Sequence, residues 1–283
     1  LEDLSQVNIT FVDSTEKMLE FLRWLGQQRR ILAVDTETEG LIWPRHKVRL
    51  VQLGDRESAW CFATDWMGLV RDVLQRYDGE FVFHNAKFDI HMLERWGDVK
   101  WSADMWRRTH DTAIIAHLHQ PDRNRQLKSL TRQYIDPKAA TGQIMLDHAM
   151  DEQGWDWDTV PVHFPYYWAY AGLDTILTAR LFDALPRDRI SDALYETERR
   201  VLWSIYKMEV KGAYVDVPFI IRKKAELEMF IEEVKHFVRA QYGLENFSSD
   251  AQLRTKLAEL GIELTKLTES GKNFSVDAEV LEA

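Results

Sequence analysis

At 283 residues the chain can fill one full core and a second, smaller unit, and with 45% hydrophobic and 12% aromatic residues it is not a disordered protein. Its formal charge of −10 excludes a globally basic face for gripping duplex DNA, although a nucleic acid remains a possible substrate if cations neutralise its phosphates locally. No apolar run reaches the length of a membrane-spanning helix and no signal-peptide pattern opens the chain, so no membrane association and a reducing, cytoplasmic setting are expected. The single cysteine, Cys61, excludes an intrachain disulfide and a cysteine-based zinc site, and its run Ala59-Trp60-Cys61-Phe62 reads as a buried strand.

Residues 8–12 read as a short strand. Asp13-Ser14-Thr15, followed by Met18, Leu19, Leu22 and Leu25, reads as a capped helix. Residues 31–35 form an apolar strand ending in acid, with two more strands at 48–53 and 58–62 joined by Gly54-Asp55. A helix at 69–77, a strand at 80–84 and a helix beginning near Ala86 complete a pattern for a mixed sheet flanked by helices, an α/β class. Beyond about residue 110 the pattern is helical: Asp111-Thr112 caps a helix to His119, with others over 127–135, 141–151 and 165–185. From Ser191 the composition shifts to long amphipathic helices, 193–210 and 218–242. The expected boundary lies near 186–192, giving domains 1–188 and 189–283.

Chemistry concentrates in three acidic signatures. Asp35 and Glu37 stand two apart at the end of an apolar strand, so both point the same way. Asp89 falls in the first turn of its helix, where the helix dipole favours negative charge. Tyr170 and Asp174 are four apart on one helix and share a face. Gathered together, four carboxylates repel unless cations are present; two Mg²⁺ about 3.5–4 Å apart would keep them ionised and hold both oxygens of a phosphodiester displacement.

Asp35-Thr-Glu37, Asn85-x-x-Phe88-Asp89 and Tyr170-x-x-x-Asp174 resemble the three motifs of the DEDD exonucleases in their tyrosine subclass, most closely the proofreading domains of bacterial and phage family A DNA polymerases. The sister subclass carries histidine where this chain has Ala169. The resemblance implies a ribonuclease H-like fold, two Mg²⁺ or Mn²⁺ ions and release of 5′-nucleotides from a DNA 3′ end. It implies that Asp35, Glu37 and Asp174 hold the main metal, that Asp89 helps to place the second, and that Tyr170 orients the attacking water. Leu41 resembles the leucine that wedges against the terminal base, and Asn85 and Phe88 resemble residues that contact the nucleotide or pack behind the metals. The implied partner is a single-stranded 3′ end or frayed primer-template, met by a monomer in a bacterial cell or phage-infected host.

Arg123, Arg125, Lys128 and Arg132 lie in a segment without acids, which suits a single strand's phosphates or a solvated helix face. Trp43 could stack on a base or pack. His117 and His119, two apart on a helix, cannot share a ligand. The stretch 151–158 reads as an acidic surface loop, with no role evident for Trp155 and Trp157. Residues 198–216 and 247–271 resemble the link to, and the start of, a family A polymerase thumb, although Asn273-Phe274 departs from the small residues expected there. With Leu1 in place of Met and no palm or fingers, the expectation is part of a longer polymerase that degrades DNA and does not extend it. The alternatives are an RNA-trimming enzyme resembling ribonuclease D, and a catalytically silent scaffold that binds primer-template.

Overall fold

Alternating apolar positions along the first third of the chain build the sheet on which the rest is assembled. The structure, a computed structural model, describes residues 6–27, 30–188, 190–268 and 270–277. It divides into two compact units, Leu1–Lys211 and Gly212–Ala283.

In the first unit, strand β1 (Asn8–Val12) leads into helix α1 (Thr15–Leu25), whose N-cap Ser14 accepts from the Lys17 N–H at 3.3 Å. Strands β2 (Ile31–Thr38), β3 (Val48–Gly54) and β4 (Ser58–Ala63) follow. A 3-10 turn at Thr64–Trp66, helix α2 (Met67–Arg76), strand β5 (Glu80–Phe83) and helix α3 (Ala86–Gly97) come next. Helix α4 (Ala103–Arg107) and strand β6 (Thr109–Asp111) are too short to show a hydrophobic period and are not legible in the sequence. Helices α5 (Thr112–His119), α6 (Leu127–Tyr134), α7 (Thr141–Gln153), α8 (Pro165–Ala184) and α9 (Asp192–Lys211) complete the unit.

The sheet order is β1-β4-β3-β2-β5-β6. Its centre, β2-β3-β4, is antiparallel; β1 pairs parallel with β4, and β5 and β6 extend β2 in parallel. This is the mixed sheet expected from the pattern of elements.

The pleat sorts side chains to two faces. Val34, Leu53 and Phe62 join Phe21 and Trp24 of α1, Leu74 of α2 and Ile90 and Leu93 of α3 in the larger core. Truncating any of the fully buried phenylalanines in it, such as Phe21 or Phe83, costs about 3–5 kcal/mol. The opposite face carries Asp35, Gln52 and Cys61 as a row across three strands, with Glu37 opposite Leu50 in the next row. Helix α8 lies over this face, buried almost all round from Ala171 to Phe182. Gly172 lets it lie close, since a Cβ there would overlap Ile9 and press on Cys61.

Helix α9 packs on the first unit. Tyr206 enters the larger core, the Arg199 Nε donates to the Thr109 carbonyl at 2.9 Å, and Glu209 meets the His91 ring nitrogen at 2.8 Å. The units therefore divide beyond the change of composition seen near 186–192. In the second unit, helix α10 (Val217–Tyr242) is capped by Asp216, which accepts from the Phe219 N–H at 3.0 Å, and ends at Gly243 with φ 62°. Helix α11 (Asp250–Glu259) follows. No helix among the described residues is long and apolar enough to cross a membrane.

Candidate active site

Three segments distant in sequence meet at the end of β2. Asp35 and Glu37 point to the α8 side, as their spacing predicts, and are half-buried. The register of β2 against β3 shifts after Glu37, where Thr38 pairs with Val48 and leaves Arg49 as an extra residue. Asp89 enters from the first turn of α3 and is 2% exposed. Thr36, which points to the opposite face from its acidic neighbours, donates to Asp89 Oδ1 at 2.6 Å and ties α3 to the strand.

Tyr170 and Asp174 come down from α8 on one face, as their i, i+4 spacing predicts. Asp174 is buried and forms an ion pair with the ammonium of Lys128 on α6. The Lys128 Nζ lies 4.5 Å from the centre of the Tyr170 ring. Lys128 therefore faces into the acids, whereas Arg123 and Arg125 are exposed; the basic segment is not one solvated face.

Electrostatics couple the members of the group. Burial first, then the charge of Asp174, push Asp35 up to about 7, against the opposing pull of the Thr36 N–H and Lys128. Glu37 is raised by burial and then by Asp35 and Asp174. Asp89 is raised by burial and then by Asp35, with the Thr36 hydrogen bond opposing. Burial and the fields of Asp174, Glu37 and Asp35 keep the Tyr170 hydroxyl protonated.

An excess of buried hard-oxygen donors calls for a cation, and carboxylates alone suit a divalent ion that prefers oxygen. Among the described residues, no three His, Cys, Asp or Glu side chains are close enough to grip a metal in this conformation, in which Lys128 neutralises Asp174. The donor set fits such an ion.

A cleft of about 1090 Å³ opens beside Tyr170, lined by Leu41, His117, Arg123 and Arg125 on one part and by Val201 and Ile205 of α9 on another. Leu41 is 83% exposed at its rim. Asn85 also lines it, in the left-handed region with φ 73° and no capping hydrogen bond from its side chain. Asp111 takes that task, accepting from the Asn85 and Ala86 N–H groups at 3.0 and 2.9 Å while capping its own helix through Ala113. Phe88 packs on the larger core. Trp43 stacks flat on His91 at 4.4 Å, so its packing reading holds.

The loop after α7 is not merely an acidic surface. Trp157 stands 6.0 Å from Tyr170, ring to ring, and its carbonyl accepts from the Arg49 guanidinium. Trp155 packs edge-on against Phe164. Thr36, Trp157 and Gln52 carry no motif signal, although Gln52 is a carboxamide within an otherwise largely apolar strand.

The family described as 3′-5′ exonuclease matches residues 9–188. The DNA polymerase of Mycobacterium phage L5 is 28% identical over 299 residues, covering 99% of this chain and 49% of the phage protein. That of Escherichia phage T5 is 28% identical over 240 residues, covering 75% and 28%. The chain thus spans about half or less of the length of these relatives. In fold it is similar to Brucella melitensis NrnC, at a TM-score of 0.52 and 18% identity over 72% of this chain and 94% of that one. It is also similar to the catalytic core of RRP6 from Trypanosoma brucei, at 0.51 and 20% over 71% and 53%. The sheet and its flanking helices thus share the ribonuclease H-like fold of these two structures. With its three acidic motifs inside the matched region, the chain belongs to the DEDD-type 3′-5′ exonuclease family found in family A DNA polymerases.

Proposed function

We propose that this chain removes nucleotides from the 3′ end of a DNA strand and forms the proofreading part of a family A polymerase, with residues 1–188 as the nuclease domain and 189–283 as linker and partial thumb. Membership of the family implies a divalent-metal-dependent nuclease. The observation that carries the finer reading is the meeting of Asp35, Glu37, Asp89 and Asp174 in one field with a protonated Tyr170.

Asp35, Glu37 and Asp174 would hold one Mg²⁺ or Mn²⁺, and Asp89 would share a second. When bound, such a pair would supply Lewis acidity toward the attacking water and the departing 3′ oxygen. Tyr170 keeps its proton and can donate a hydrogen bond that orients the attacking water. Lys128, the ammonium beside Asp174 and Tyr170, would offer a positive charge to the scissile phosphate. Leu41 at the rim and Arg123 and Arg125 along the cleft suit the last nucleotides of a single strand, with the arginines on phosphates and the leucine against a base.

Incubating the chain with 5′-labelled single-stranded DNA and with RNA of the same sequence, in Mg²⁺ and in EDTA, tests the proposal. A ladder shortening from the 3′ end on DNA, only with Mg²⁺, is expected. Degradation of RNA with DNA spared would instead support a ribonuclease D-like trimmer, and inertness on both would support a silent scaffold. The phage polymerase relatives favour DNA.

A further inference from the structure

In the middle of β3 stands a side chain that the core does not need. Val48, Leu50, Val51 and Leu53 are buried, and Gln52 is fully buried among them. Neither its Oε1 nor its Nε2 has a hydrogen-bond partner among the described residues. A buried polar group left unmet costs about 1–3 kcal/mol, and a leucine at this position would avoid that cost. A carboxamide retained there needs a neighbour to serve.

The register names the neighbour. Gln52 is the direct antiparallel partner of Asp35 on β2 and of Cys61 on β4, so the three side chains share the face beneath α8. Directly opposed residues hold their Cβ atoms about 4.5–5.5 Å apart, within the reach of a glutamine. On the Cys61 side the thiol is engaged, its Sγ lying 3.2 Å from the Trp168 carbonyl. On the other side stands the Asp35 carboxylate, an anion with lone pairs to offer.

We propose that Gln52 is a positioning residue for Asp35: when a divalent cation is bound, its Nε2, unmet in the metal-free chain, turns to donate to one carboxylate oxygen and fixes the plane in which the other faces the cation. The inference rests on the metal-dependent reading above. Residues that orient a ligand without touching the metal typically govern affinity or activity by about 10–100-fold.

The test replaces the carboxamide by apolar groups of similar size, Gln52→Leu and Gln52→Met, and measures Mn²⁺ binding by isothermal titration calorimetry beside melting in EDTA. Both variants should melt in EDTA at or above the wild-type temperature, because an unmet polar group has gone. Both should bind Mn²⁺ about ten-fold or more weakly, and kcat on a single-stranded oligonucleotide should fall while KM holds. Wild-type Mn²⁺ affinity in either folded variant overturns the role. So does a lowered melting temperature in EDTA with unchanged Mn²⁺ binding, or failure of both variants to fold, since each would assign Gln52 to the core. If the wild-type chain binds no Mn²⁺, the metal-dependent reading and this inference fall together; if it does and the variants match it, only the inference falls.

Discussion

The ammonium of Lys128 is paired with the carboxylate of Asp174 and lies against the face of the Tyr170 ring, so one flexible side chain on α6 touches two groups of the third motif at once. Both members of the pair are largely shielded, and removing one strands the other. Lys128→Met should lower the melting temperature in EDTA by roughly 4–8 °C, corresponding to about 2 kcal/mol for a unit of this size. Saturating Mn²⁺ should close that gap, since a divalent ion then supplies the missing positive charge. Differential scanning calorimetry under the two conditions checks both statements, and equal melting in EDTA would show that the pair contributes nothing.

Acidity should reverse the usual trend for the metal-free chain. Asp35 is raised from 3.8 to about 7, and Glu37 and Asp89 shift in the same direction, so the folded state binds more protons than the unfolded state. Stability is then full below the unfolded value and is lost as pH rises through the folded one. In EDTA the melting temperature should fall between pH 4 and about pH 7, and added Mn²⁺ should flatten the upper part of the curve. A profile in EDTA that climbs over this window contradicts the crowding of the acids.

The first-motif pair gives the sharpest separation of stability from activity. Asp35→Ala combined with Glu37→Ala removes two charges that burial and neighbouring acids disfavour, so the metal-free fold should be retained and melt no lower than wild type. Exonuclease turnover should drop on the order of 10³-fold or more. Circular dichroism melting and a labelled-oligonucleotide assay measure the two sides, and wild-type turnover would remove both residues from the reaction.

Tyr170→Phe deletes only a hydroxyl that the surrounding field keeps protonated. Turnover should slow by about 10–100-fold while the affinity for single-stranded DNA, measured in Ca²⁺ by fluorescence anisotropy, stays within about two-fold. Unchanged turnover would leave the water without this donor.

What could be read in advance follows from the range of the forces involved. The two-residue spacing of Asp35 and Glu37, the helical spacing of Tyr170 and Asp174, and the cap at Asp111 are local geometry, so the sequence shows them directly. The capping of α3 by Asp111 instead of Asn85 depends on β6 lying beside β5, and no local pattern encodes that pairing. Lys128 stood in a run that looked like surface. Only the packing of α6 against α8 turns its side chain toward Asp174. Trp157 acquires a place because Arg49, the residue left over where the register shifts, binds the loop's carbonyls.

The glycine at 172 sets a height. Because α8 sinks until its backbone nearly touches Ile9 and Cys61, the level of Tyr170 and Asp174 above the strands is fixed by a missing methyl two residues away from each. A single added carbon there would act like a shim under a lens mount: nothing in the optics is touched, yet the focus moves. Damage at this position would therefore show as lost turnover in a protein whose every reactive side chain is intact.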